Sequence, residues 1–458
     1  MKLKLLLINV IHPDVEVEQR QPCLGLGYLV SALRKRFGWE FFDFRIIDRD
    51  IEKEAKKFRP DIVLMSSVTQ NFNVAINYAR LLKQEHIPVI IGGIHISMMF
   101  SSLDPCFDVG VIGEGEQTIV ELIELFLQKE KFLAQDLIDI KGILFKEGDS
   151  IHSTKPRLPI EHLDFIDPPA RDLLKIDRHT YMFTSRGCPY KCEFCASTRF
   201  WPKARFFSAE YVIREIMDLV RNYNVKLISF YDDLFIAHRE RLKSIVSLTR
   251  NNRELKNIRF TCNARANIVD DEVAALLKEM KVASVNLGLE SGCERTLHYL
   301  KGNVTVEQNL NAIKIIRKHK IACQGSFIIG SPSETREEIL QTYRFIKKVR
   351  LNLIDIYVLT PYPGTPVWDY AKSRGFVSEQ MDWEKLNVNF GPNSKKVVVL
   401  SEVLSRGEIE RLYKKIRRLC LLKSIIGITR HPYFKYIPKV TAQLVREYFH
   451  RCINLRPS

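Results

Sequence analysis

Continuous apolar runs alternate with helical periodicities from the start of the chain. Leu3–Val10, Asp61–Ser66, Val89–Ile91 and Val109–Ile112 are rich in Leu, Ile and Val, and Gly25–Phe37, Asn73–Glu85 and Gln117–Leu127 read as helices between them. Apolar strands separated by helices predict a parallel sheet covered on both faces: a doubly wound α/β domain of five strands over residues 1–135. In such sheets ligands sit beyond the carboxyl ends of the strands. Three unusual loops fall there: Ser66-Ser67-Val68-Thr69, Gly92-Gly93-Ile94-His95 and Gly113-Glu114-Gly115-Glu116.

The pattern then breaks. Lys155–Pro169 holds four prolines and no clean period, so residues 136–175 read as a linker. From Tyr181 to Thr360 a second series appears, with strand candidates at Tyr181–Ser185, Lys226–Tyr231, Ile258–Cys262, Ser284–Glu290, Gln324–Gly330 and Leu353–Thr360. Amphipathic helices such as Ala209–Val220 and Val306–Lys318 intervene. Six βα units predict a partial parallel (β/α)6 barrel over residues 176–380, its chemistry at the carboxyl ends of the strands. Residues 381–458 read as a helical, basic C-terminal region. Ile409, Leu412, Tyr413, Ile416, Leu419 and Cys420 form one helical face there, opposite Lys414, Lys415, Arg417 and Arg418.

Composition narrows the possibilities. No apolar run approaches the roughly 20 residues of a membrane helix, and the first strand lacks the flanks of a signal peptide; a cytoplasmic protein is expected. Of ten cysteines, three crowd into Cys188, Cys192 and Cys195, a metal site rather than a disulfide framework. The net charge of +16 is uneven: Gly391–Ser458 holds 15 Lys/Arg against 4 Asp/Glu. Such a basic helical tail fits a packed, solvated face, with peripheral contact to an anionic membrane as the second reading. Nucleic acid is not expected, since no basic motif interleaved with aromatics is present.

The strongest chemical signal is Arg186-Gly-Cys-Pro-Tyr-Lys-Cys-Glu-Phe-Cys195, directly after the first barrel strand. Three thiolates spaced x3 and x2 suit an iron–sulfur cluster with one iron left open. A structural zinc ion would want a fourth Cys or His, which the motif lacks. This spacing, with Phe194 before the last cysteine, resembles the radical S-adenosylmethionine (SAM) superfamily. The resemblance implies a [4Fe–4S] cluster whose open iron chelates SAM, and one-electron cleavage of SAM to a 5′-deoxyadenosyl radical that takes hydrogen from the substrate. It also implies roles for residues at later strand ends. Asp232 and Asp233, in Phe230-Tyr-Asp-Asp-Leu-Phe235, fall near the SAM amine. Asn263, Arg265 and Glu290 match positions that contact its ribose or carboxylate. Gly325–Glu334 resembles the strand that borders the adenine. Read as residues alone, Asp232 and Asp233 equally fit a helix cap, and Glu290 a partner for a buried Arg.

The N-terminal loops, together with Pro22-Cys-Leu-Gly-Leu-Gly-Tyr-Leu, resemble the Rossmann-like cobalamin-binding domain that precedes many radical SAM barrels. What this implies is that Ser66, Ser67, Thr69, Gly92, Gly93, His95, Glu114 and Gly115 line a cobalamin site, small residues letting backbone approach the corrin. The chain lacks Asp-x-His-x-x-Gly, so His95 is not expected to ligate cobalt. The function implied is a cobalamin-dependent methyltransferase acting on an unactivated carbon of a small-molecule or lipid-like substrate, with flavodoxin or ferredoxin as electron donor. A radical cyclisation or rearrangement is the alternative. A metal-binding RNA-modifying protein fits less well, because Cys23 and Cys106 are too few and too far apart to hold a second cluster.

Overall fold

A computed structural model describes residues 2–12, 22–390 and 397–428. The chain forms two compact units. The first comprises Met1–Ile176, Ala196–Phe207 and Pro361–Leu386; the second comprises Asp177–Cys195, Ser208–Thr360 and Asn387–Ser458.

The first unit is built on a seven-stranded sheet. Its strands are β1 (Leu3–Val10), β2 (Phe42–Ile47), β3 (Ile62–Ser67), β4 (Val89–Gly92), β5 (Val109–Val111), β6 (Ile143–Glu147) and β7 (Ser150–Ser153). The spatial order is β2-β1-β3-β4-β5-β6-β7. The first five are mutually parallel, whereas β6 and β7 run antiparallel. Leu5, Leu7, Leu64 and Ile90 pack on one face against Leu26, Val30 and Leu33 of the helix Leu24–Phe37 and Ile119, Leu122 and Ile123 of the helix Glu116–Lys129. The stretch expected as a linker therefore contributes two strands to the sheet. They form a hairpin around Gly148-Asp149, where Gly148 takes φ +59 at the tip.

The second unit is built on a six-stranded sheet: β8 (His179–Met182), β9 (Leu227–Phe230), β10 (Arg259–Ala264), β11 (Val282–Glu290), β12 (Ala322–Ile329) and β13 (Leu353–Val358). They lie in the order β13-β12-β11-β10-β9-β8, every neighbour parallel, in a curled half-barrel. Burial alternates along them. Phe260, Cys262 and Ala264 face a closed apolar layer, while Thr261 and Asn263 are only half-buried. Ser229, Asn286, Gln324, Ser326 and Asp355 are half-buried in the same way. A parallel sheet covered on both faces would carry apolar residues at these positions, so this half-barrel has one polar face.

The helix Arg406–Ile428 covers the edge strand β13. The Ile354 amide donates to Ser424 Oγ at 3.0 Å, and Lys423 Nζ donates to the carbonyls of Ile346, Lys347 and Val349. Ile409, Leu412, Tyr413, Ile416 and Cys420 are buried beneath it. The helix thus spends its apolar face on its own unit. The remainder of the basic region, residues 429–458, lies outside the described residues. Among the described residues no helix is long and apolar enough to cross a membrane.

Candidate cluster and cobalamin sites

The cysteine loop begins where β8 ends, and its first residues are held by a buried carboxylate. Asp232, fully buried at the end of β9, accepts from the Thr184 amide at 2.6 Å, the Thr184 hydroxyl at 2.5 Å and the Ser185 amide at 3.2 Å. Arg241 lies beside Asp232 and donates to the Thr184 carbonyl at 2.6 Å. Its neighbour Asp233 is exposed and acts electrostatically on Cys188. Of the two aspartates, then, Asp232 is committed to the loop's backbone and Asp233 faces the cysteines.

Among the described residues Cys188, Cys192 and Cys195 form no disulfide, and all three lie half-buried on this one loop. Gly187, at φ +83, supplies the left-handed turn that starts it. The Cys195 amide closes a tight turn on the Cys192 carbonyl, and the Glu193 amide donates to the Leu300 carbonyl. Burial pushes the Cys188 thiol above its ordinary value, so binding iron there must displace a proton. Among the described residues no three His, Cys, Asp or Glu side chains gather around a single ion. The three thiolates of a cube each bind a different iron, so a cluster does not require them to meet at one ion.

The other residues expected near SAM also meet in this unit. Asn263 Nδ2 donates to the Asp232 carbonyl at 3.0 Å and its Oδ1 accepts from Asn286 at 3.1 Å. Glu290 pairs with Lys301 at 3.3 Å rather than with an arginine, both side chains being less than a tenth exposed. Burial pushes its carboxyl up, against the pull of Lys301. Glu290 has φ +57, and Lys301 also donates to the Gly288 carbonyl at 2.7 Å. A side chain at Gly288 would collide with that pair. Arg265 donates to Cys192 Sγ at 3.1 Å. Sequence reasoning missed Thr184, Arg241 and Lys301, because each acts through a partner distant along the chain. It also missed the polar face of the half-barrel, although alternation inside Arg259–Ala264 carried the signal.

In the first unit the three loops converge at the carboxyl ends of β3, β4 and β5. Ser66 lies in register with Gly92, and Ser97 Oγ donates to the Gly93 carbonyl while accepting from the Gly113 amide. Gly93 has φ +103, and a Cβ there would sit 2.6 Å from the Ser67 carbonyl oxygen. The crossing admits only glycine and leaves a ledge lined by backbone, which suits a broad, flat ligand such as a corrin. Thr69 opens a buried single turn beside it, and Gly115 caps the helix Glu116–Lys129. Glu114 is spent internally: it forms a buried double contact with Arg205 at 2.7 and 3.0 Å and accepts from the Ile160 amide. His95 is fully buried in the short helix Ile94–Met98, its ring 4.0 Å from Phe72 and 4.5 Å from Trp383. Among the described residues neither ring nitrogen has a hydrogen-bond partner, and burial pulls its pKa down to about 3.

Comparison with known proteins agrees with this division. Residues 182–346 match the radical SAM superfamily and residues 14–123 the B12 binding domain. An uncharacterized methyltransferase of Pyrococcus horikoshii is 34% identical over 84% of this chain and 86% of its own length. The anaerobic magnesium-protoporphyrin IX monomethyl ester cyclase of Cereibacter sphaeroides is 27% identical over 91% of this chain and 71% of its own. Among solved structures, the radical SAM methyltransferase TsrM of Kitasatospora setae superposes with a TM-score of 0.66 at 18% identity, covering 82% of this chain and 76% of that one. The cobalamin-dependent radical enzyme OxsB gives 0.68 at 16% identity, covering 98% and 75%. The chain is a radical SAM enzyme with a B12-binding domain and belongs to the family of the cobalamin-dependent radical SAM methyltransferases.

Proposed function

We propose that this enzyme methylates an unactivated carbon of a small, polar metabolite, with a [4Fe–4S] cluster on Cys188, Cys192 and Cys195, SAM beside it and cobalamin on the ledge of the first unit. When bound, the cluster and SAM supply a radical that takes a hydrogen atom from carbon, and cobalamin supplies the methyl group. The observation that carries the reading is the loop of three half-buried cysteines tied down by Asp232 and Arg241, in a chain that also matches a B12 binding domain.

The polar face of the half-barrel supports the substrate class. Ser229, Thr261, Asn286, Gln324 and Asp355 offer hydrogen bonds along it, with Gln324 donating to Asp355 at 2.9 Å. Thr261 donates to Ser229 at 2.7 Å and Asn286 to Asn263 at 3.1 Å, and a lipid tail laid on that face would bury unmet the hydrogen-bonding capacity these internal bonds leave over, at about 1–3 kcal/mol for each group so left. An oxygen- or nitrogen-bearing metabolite satisfies them. Asp233, Asn263 and Glu290, at neighbouring strand ends, are the groups we assign to the amine and ribose of SAM. Free thiolates and an oxygen-labile cluster suit a reducing cytoplasm, with flavodoxin or ferredoxin as electron source.

A cyclisation is the second reading, favoured by the cyclase relative of Cereibacter sphaeroides. One experiment separates them. Anaerobically reconstituted enzyme with hydroxocobalamin, SAM and a reductant is expected to form both 5′-deoxyadenosine and S-adenosylhomocysteine, since methyl transfer consumes a second SAM. 5′-Deoxyadenosine alone would transfer the assignment to cyclisation. Neither product would remove the radical reading.

A further inference from the structure

Arg265 was expected to hold SAM, yet its guanidinium is engaged at every nitrogen within its own unit. Nε donates to Asn267 Oδ1 at 3.1 Å, Nη1 to Cys192 Sγ at 3.1 Å and Nη2 to the Lys301 carbonyl at 2.8 Å. Its plane lies 4.1 Å over the ring of Tyr190, inside the x3 spacer between Cys188 and Cys192. Only 7% of the residue is exposed. A planar fork fixed on three sides and stacked on a fourth is pre-organised. Lys301, which receives one arm of the fork, is itself anchored by Glu290 and the Gly288 carbonyl.

We infer that Arg265 is a positioning residue for the cluster: its charge stabilises the Cys192 thiolate and makes the cluster easier to reduce. The inference rests on the reading that Cys192 ligates a cluster iron. Reduction adds one electron from an external donor to the cluster and so adds negative charge beside the guanidinium. A fixed cation that donates a hydrogen bond to a ligand sulfur favours the more negative state, and hydrogen bonds to cluster sulfurs set the potential.

The test is a potentiometric titration of the reconstituted cluster without SAM, followed by paramagnetic resonance, together with iron content and SAM affinity by equilibrium dialysis. Arg265→Gln should load iron and hold a reduced fraction about tenfold below the unmodified enzyme at the same applied potential, the scale of one lost hydrogen bond to a charged group. Arg265→Lys, which keeps the charge, should fall between the two. An unchanged midpoint in Arg265→Gln, with weakened SAM affinity, would overturn the inference and return Arg265 to the SAM carboxylate. Should Arg265→Gln not load iron, Asn267→Ala carries the test, because it removes only the partner that aims Nε: a lowered midpoint supports the inference and an unchanged one overturns it. Failure of the unmodified enzyme to assemble any cluster would instead refute the proposed function.

Discussion

Two buried ionisable side chains make opposite demands on pH. His95 sits between Phe72 and Trp383, among the described residues neither nitrogen is bonded, and its pKa falls from 6.5 to about 3. Above pH 6.5 the ring is neutral folded or unfolded. As pH falls through that value the unfolded chain takes up the proton first, so stability is lost down to about pH 3, by several kcal/mol at the acid end. His95→Phe keeps the ring stack and removes the titration; chemical denaturation from pH 7 to 4 should show a flatter profile than the unmodified enzyme. An unaltered profile would mean that the ring is protonated or solvated. Glu334 works the other way. One of its oxygens accepts from the amides of Gly330 and Ser331, the other has no hydrogen-bond partner among the described residues, and burial raises the carboxyl from 4.5 to about 8. Its contribution is complete below pH 4.5 and is lost as pH rises through about 8. Glu334→Gln, which can accept the same amides, should gain stability over the unmodified enzyme progressively across that window, by a few kcal/mol at its upper end. A constant difference would show that the carboxyl is ionised throughout.

At the level of elements, the cysteine loop depends on a strand end that carries no cysteine. Asp232 and Arg241 bind the backbone on which the loop starts, so Asp232→Ala leaves the Thr184 and Ser185 amides and the Thr184 hydroxyl without their acceptor. Each buried donor so left costs about 1–3 kcal/mol, and iron content should fall well below four per chain. Full iron loading in Asp232→Ala would show that the clamp is dispensable. This dependence was not readable in the sequence, where Asp232 and Asp233 look alike; only the fold separates a buried strand-end carboxylate from its exposed neighbour. What was readable had local causes. β1 is a continuous apolar run buried along its centre, and the helix Val306–Lys318 begins at a Thr305–Gln308 capping box. β2 escaped notice because it is an edge strand with exposed Asp43 and half-buried Arg45 alternating with apolar residues. β6 and β7 were hidden by the prolines that follow them. The cysteine spacing was visible because all three ligands lie on one loop, whereas Arg265, Tyr190 and Lys301 meet only through tertiary contacts.

At the scale of the whole molecule, charge is the property that acts furthest from the site. The net charge is +16, and most of it falls between Gly391 and Ser458. A strongly cationic enzyme attracts an acidic redox protein over distances set by the Debye length, about 8 Å at physiological ionic strength. Flavodoxins and ferredoxins, the donors proposed here, are met by such a field before any specific contact forms. The rate at which reduced flavodoxin reduces the cluster should therefore fall steeply with salt, by tenfold or more between about 0.05 and 0.5 M ionic strength, the range over which steering is screened. Reduction by a small neutral reductant, measured in parallel, should be nearly flat and would show that the cluster itself is unaffected. Replacing Lys414, Lys415 and Arg418 with Gln tests where the steering originates. Lys414, Lys415 and Arg418 are exposed on the helix Arg406–Ile428, opposite the face that covers β13, so the substitutions should leave folding intact. They should lower the flavodoxin rate at low salt and converge with the unmodified enzyme at high salt. A flavodoxin rate independent of salt would show that the basic C-terminal region does not serve electron delivery.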